Sequence, residues 1–144
     1  MAEKVYIIFV AVFALFTFYC VNAITVEEAK ELAKIFSEPC RVKYRISNEL
    51  IEEVNKGNFP DDRSLKCYAN CMLEMTQTVS RGRINYRMSL TQIDLLLPEE
   101  MKESAKKTLD ACRGSMKGIK DYCEASYNYV QCMYKVNRKY FYFP

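Results

Sequence analysis

The chain has 144 residues, with 21 Lys and Arg against 18 Asp and Glu for a formal charge of +3, no His, no Trp, seven Cys, four Gly and four Pro. That length fits one domain after a processing segment. The lack of His excludes imidazole-dependent Ser or Cys nucleophiles and His-containing zinc or iron sites. The few glycines form no G-x-G-x-x-G or G-x-x-x-x-G-K loop, so the usual nucleotide sites are excluded too. The composition describes a binding protein without catalysis, metal or cofactor.

The first element is a leader. Val5 to Val21 is an uncharged run of 17 residues, and Val21 and Ala23 supply the small residues that precede a signal-peptidase cut between Ala23 and Ile24. A membrane anchor is the rival reading, but 17 residues sit at the short end for a span and an acidic amphipathic segment follows. Residues 1–23 are therefore read as a secretory signal peptide and 24–144 as the domain, with no membrane insertion after cleavage. The mature part has 121 residues, keeps the net charge of +3, and loses Cys20, leaving six cysteines. An even number in a small secreted chain predicts three disulfides.

Helical periodicity then runs through nearly the whole chain, and the fold class is all-α. Thr25 and Glu28 form a capping box ahead of an apolar face of Val26, Ala29, Leu32, Ala33 and Phe36, with Pro39 expected beyond the helix end. Ser47 starts a short second helix that Gly57 ends. The third is predicted over about Arg63 to Val79, with Leu65, Ala69, Met72, Met75 and Val79 facing inward. Ser80 to Ser89 is irregular, with an exposed Arg81-Gly82-Arg83 tip and no strand alternation of useful length. Ser89 to Leu96 makes a short helical piece. Pro98 opens a further helix with Met101, Ala105, Leu109 and Cys112 inside, and a last one covers about Lys120 to Val136 before a tail ending Phe141-Tyr142-Phe143-Pro144.

Basic residues occur only in short groups such as Arg41 to Arg45 and Arg81 to Arg83, too sparse for a nucleic-acid footprint. Cys67 and Cys71 lie four apart on one helix, so they face one side in poor geometry for bonding each other. Cys123 and Cys132 lie nine apart, on opposite sides of theirs. Each pair should therefore reach separate partners, which narrows the 15 connectivities that six cysteines allow without choosing among the rest.

The spacing Cys40, 26 residues, Cys67, three, Cys71, 40, Cys112, ten, Cys123, eight, Cys132 closely resembles the six-cysteine signature of the insect odorant-binding proteins, the general-odorant and pheromone-binding type. The resemblance covers the whole mature chain. It implies about six helices around an apolar cavity and the pairing Cys40–Cys71, Cys67–Cys123 and Cys112–Cys132. It also implies a carrier of small apolar or amphiphilic molecules such as odorants or pheromones through extracellular fluid, with sensillum lymph the foremost setting. An olfactory receptor or a second copy of the chain are the candidate protein partners. Relatives of the same fold working in haemolymph, saliva or glands keep a non-olfactory carrier open as an alternative. A disulfide-stabilised interaction module with a filled core is the other alternative.

For a cavity wall the sequence offers Leu73, Met75, Val79, Ile84, Met88, Leu96, Met101, Leu109, Tyr127, Val130, Met133 and Tyr134. Aliphatic, thioether and aromatic groups suit a binding cavity, and Met adapts to several shapes. Thr76, Ser126 and the hydroxyls of Tyr127 and Tyr134 are the candidate orienting groups. Phe141 and Phe143 in the tail are expected to fold back over the cavity, because three exposed aromatics in the last four residues would form an apolar liability. Without His, binding should depend weakly on pH between about 6 and 8.

Overall fold

The computed structural model describes residues 5–8, 10 and 24–144, so the leader boundary expected at Ala23 lies outside the described residues. Residues 5–8 and 10 are helical. The body contains helices α1 (Val26–Tyr44), α2 (Asn48–Lys56) and α3 (Arg63–Met75), strands β1 (Val79–Ser80) and β2 (Arg83–Ile84), and helices α4 (Tyr86–Leu96), α5 (Glu99–Ala111) and α6 (Tyr122–Val136).

Helix starts follow from short polar side chains that satisfy free amides. Thr25 and Glu28 form the capping box, with the Thr25 amide donating to Glu28 Oε2 at 2.7 Å and the Glu28 amide to Thr25 Oγ1 at 3.2 Å. Ser47, Asp62, Asn85 and Asp121 accept from the first turns of α2, α3, α4 and α6. Gly57 ends α2 in the left-handed region at φ 93°, a conformation glycine adopts without penalty.

Two expected boundaries are corrected. Helix α1 does not stop before Pro39 but carries it inside and ends at Arg45, whose φ is 54°. The amide that Pro lacks would have met the carbonyl of Ile35, a residue 67% exposed, where water can replace it. The break therefore occurs later, after Cys40 has been carried into the core. Helix α3 ends at Met75 and not at Val79. Thr76 Oγ1 donates back to the carbonyls of Met72 and Leu73 at 3.1 and 3.2 Å, and Gln77 turns left-handed at φ 58°. Val79 then pairs with Ile84 and Ser80 with Arg83 across an Arg81-Gly82 turn, both of whose residues have positive φ. That is the hairpin turn whose twist matches paired strands. Two residues per strand are too few to announce themselves by alternation.

Helices α3 and α6 pack side by side at the centre, with α1 against α3 and α4 against α5. One buried cluster joins Cys40, Ile46, Val54, Leu65, Tyr68, Ala69, Tyr127, Val130 and Phe143; a second joins Val79, Cys112, Met116, Ala125 and Tyr129. The disulfides are Cys40–Cys71 (α1 to α3), Cys67–Cys123 (α3 to α6) and Cys112–Cys132 (the end of α5 to α6). This is the pairing that the resemblance implies. Cys67 and Cys71 reach different helices, as their shared face requires.

Candidate ligand-binding cavity

The two clusters do not fill the space between the helices. A cavity of about 420 Å³ lies among α1, α3, α4, α5, α6 and the tail. Leu32, Phe36 and Leu96 line it while remaining 36%, 50% and 44% exposed, so the opening to solvent runs between α1 and α4. Leu109, Tyr129, Val130 and Phe143 line it from buried positions.

The serine and threonine hydroxyls of the wall are turned back on the chain. Ser37 Oγ donates to the Lys34 carbonyl at 2.8 Å, Thr78 Oγ1 to Leu73 at 3.1 Å, Ser89 Oγ to Asn85 at 3.0 Å and Thr108 Oγ1 to Ser104 at 2.8 Å. Thr76 does the same toward Met72 and Leu73, and Gln92 Nε2 donates to the Thr76 carbonyl. A helical Ser or Thr that bonds the carbonyl one turn back presents mainly its carbon atoms. The cavity surface is thus more apolar than its residue names suggest.

The tail closes one side. Asn55 on α2 grips Phe143 from both directions: Nδ2 donates to the Phe143 carbonyl at 2.7 Å, and the Phe143 amide donates to Oδ1 at 2.8 Å. Phe143 is 3% exposed and meets Tyr68 edge to face at 5.5 Å. Phe141 meets Tyr134 in the same way at 5.2 Å. The Tyr68 hydroxyl donates to the Pro144 carbonyl at 2.6 Å. Such aromatic pairs add to the burial of the rings themselves.

Of the residues offered for the wall from sequence, Leu73, Thr76, Leu96, Met101, Leu109, Val130, Met133, Phe141 and Phe143 border the cavity. Six do not, and their positions correct the expectation. Tyr127 is buried on the other side of α6, edge to face with Phe59, its hydroxyl donating to the Pro60 carbonyl at 3.0 Å. Tyr134 donates to the Lys56 carbonyl at 3.0 Å and packs over Gly57. Val79 and Ile84 pack in the second cluster through the hairpin. Met75 is 47% exposed, with its sulfur 3.2 Å from Cys40 Sγ, and Met88 lies on α4 away from the cavity.

The orienting groups are corrected similarly. Ser126 is fully buried and donates to Asn70 Oδ1 at 2.8 Å, so neither it nor Tyr127 nor Tyr134 turns a free hydroxyl toward the cavity. The sequence reading passed over Tyr129 and the inner face of α1. The α1 stripe was legible as a helix face, but nothing in its period tells a face that meets protein from one that meets a cavity. Helix α6 leaves no residue exposed from Cys123 to Tyr134, so periodicity could not say which side is hollow.

Among the described residues no group of three or more His, Cys, Asp or Glu side chains could hold a metal ion, and no helix is long and apolar enough to cross a membrane. Comparison with known proteins agrees with the fold and the cysteines. The general odorant-binding protein 72 of Anopheles gambiae is 42% identical over 122 residues, covering 85% of this chain and all of that protein. The crystal structure of odorant binding protein 4 from Chrysopa pallens matches with a TM-score of 0.76 and 30% identity, covering 84% of this chain and 99% of that one. Odorant binding protein 5 of Apis mellifera matches with a TM-score of 0.76 and 32% identity, covering 85% of this chain and all of that one. The model of the PBP/GOBP family matches residues 22–136. With its six bonded cysteines, and with six helices and an apolar cavity over residues 24–144, the chain belongs to the PBP/GOBP family of insect odorant-binding proteins, non-enzymatic carriers of small hydrophobic molecules.

Proposed function

We propose that residues 1–23 are a signal peptide, that the remaining chain is secreted, and that it carries small odorant- or pheromone-like molecules through sensillum lymph inside the 420 Å³ cavity. The observation that carries the reading is the wall itself. It is largely apolar, its serine and threonine hydroxyls are engaged by main-chain carbonyls, and it opens between α1 and α4. Transfer of an apolar molecule from water into such a space is driven by roughly 25 cal/mol per Å² of apolar surface removed from water. At about 0.7 kcal/mol per heavy atom, within the range small ligands reach, a molecule of about twelve atoms binds at micromolar strength. No bond is made or broken, and release is the reverse of capture.

The test is displacement of the fluorescent probe phenylnaphthylamine from the oxidised, secreted protein by a panel of volatiles and fatty acids. The expected result is saturable micromolar binding at about one site per chain, reversed by some compounds and not by others. Failure of a folded, fully disulfide-bonded sample to take up any apolar probe would overturn the carrier reading. Antennal expression is expected for the olfactory role. Expression confined to gland or haemolymph would move the same carrier to another fluid.

A further inference from the structure

Tyr129 stands apart as a buried polar group of the wall without a hydrogen-bond partner among the described residues, since Asn137, Tyr140 and Tyr142 are partly exposed to water. It is 5% exposed, belongs to the buried cluster of Val79, Cys112, Met116 and Ala125, and borders the cavity. Among the described residues its hydroxyl has no hydrogen-bond partner, whereas Ser37, Thr78, Ser89 and Thr108 all donate to carbonyls. Ser115 Oγ is the fully enclosed side-chain polar atom without a partner. The Tyr129 oxygen is therefore one that open space still reaches, and the cavity is the open space that this residue borders.

A phenol held in an apolar enclosure without a partner is unfavourable unless something in the enclosure accepts its hydrogen bond. Burial pushes its pKa up to about 12, so it remains a donor throughout the physiological range. The wall's cation, Lys30, lies toward the tail with Nζ 6.0 Å from the centre of the Tyr142 ring, and Lys30 and Tyr142 are both partly exposed. The wall beside Tyr129 thus offers one neutral donor set in apolar surroundings. It suits a neutral acceptor oxygen and does not suit a carboxylate, which would have to lose its water there without a counter-charge.

We infer that Tyr129 is the orienting group of the cavity, and that the preferred ligands are neutral carbonyl compounds whose oxygen accepts its hydrogen bond while an apolar chain extends toward the opening between α1 and α4. This rests on the carrier reading and specifies its ligand class. Tyr129 sets which end of the ligand enters first and separates a ketone from the hydrocarbon of the same shape.

The experiment compares methyl nonyl ketone, the alkene in which a methylene group replaces its oxygen, and decanoate as competitors of phenylnaphthylamine, on the secreted protein and on Tyr129→Phe. The expected result is a loss of about three- to tenfold in ketone affinity in the variant, with the alkene and the probe unchanged. Equal effects on ketone and alkene, or none on the ketone, overturn the assignment. Decanoate binding more tightly than the ketone, with sensitivity to Lys30→Met and not to Tyr129→Phe, also overturns it. The carbonyl stretch of the ketone bound to the unaltered protein gives a second readout that needs no variant. A shift to lower frequency is expected, and the frequency found in alkane solution overturns the proposal. Retained probe binding without ketone selectivity removes only the Tyr129 assignment, whereas absence of all probe binding removes the carrier reading with it.

Discussion

Replacing Asn55 by Ala should loosen the tail while leaving the bundle folded. The side chain makes two bonds to Phe143, at 2.7 and 2.8 Å, and a third to the Ile51 carbonyl at 3.0 Å within its own helix. Each tail bond contributes about 0.5–1.5 kcal/mol net, so their joint loss weakens docking by about 1–3 kcal/mol. At about 2 kcal/mol the opening equilibrium of the tail rises roughly thirtyfold. The Phe143 and Phe141 rings remain to hold it, and full burial of one such ring is worth about 1.5–3 kcal/mol, so the docked state still predominates but opens more often. Hydrogen exchange read by mass spectrometry should show faster exchange at residues 140–144, unchanged protection in α3 and α6, and weaker probe binding. Unchanged exchange in the tail of Asn55→Ala would refute the reasoning, because the rings alone would then be holding it. Phe143→Ala is the reference for a complete release, with an expected loss of about 3–5 kcal/mol.

Ala105→Phe should fill the cavity from α5, lowering probe affinity more than about tenfold with a stability change within about 3 kcal/mol, as read by displacement and urea unfolding. Gly57→Ala should destabilise by at least about 1–2 kcal/mol, since φ is 93° and a methyl group would overlap the Tyr134 ring; an unchanged urea midpoint would contradict it. Replacing both cysteines of the Cys67–Cys123 bond, which closes a loop of 56, should cost about 4.2 kcal/mol, against about 3.3 kcal/mol for the loop of 20 closed by Cys112–Cys132. Unfolding midpoints of the two double variants give the order, and equal costs would refute the loop-length argument. Stability should be flat across pH 6–8. The Arg63 ion pair and the Glu124 amide hold the Asp121 pKa at about 2, below its ordinary 3.8, so that contribution is full above about 4 and lost as pH falls toward 2. Burial raises Tyr127 and Tyr129 from 10.0 to about 12, so stability declines as pH rises from about 10 toward 12. A midpoint that moved strongly between pH 6 and 8 would require a titrating group other than these.

The elements themselves were readable because their causes are local. Thr25, Ser47 and Gly57 act on amides and carbonyls within one turn, and the stripes of α1 and α3 repeat at the helical period. Boundaries failed where a distant or compensating effect intervened. Pro39 normally argues for a helix end, but its missing bond falls on a side open to water and Cys40 is anchored to α3. The apolar face expected to continue to Val79 is cut by Thr76 and Gln77, and Val79 reaches the core from a strand instead.

What the sequence by itself determined is the class of molecule: helical, without an imidazole-based active site, and carrying six cysteines whose spacing resembles one family. Cavity and core draw on the same residue types, so composition and period cannot separate them. Tyr127, Tyr129 and Tyr134 share one helix and one chemistry. The first and third find carbonyls at Pro60 and Lys56, while the second finds none among the described residues. That difference depends on segments 60 or more residues away in the chain, brought beside α6 by the packing of α2 and α3. Only the tertiary structure decides which hydroxyl is left free, because a hydrogen bond is a property of two places and the sequence states only one of them at a time.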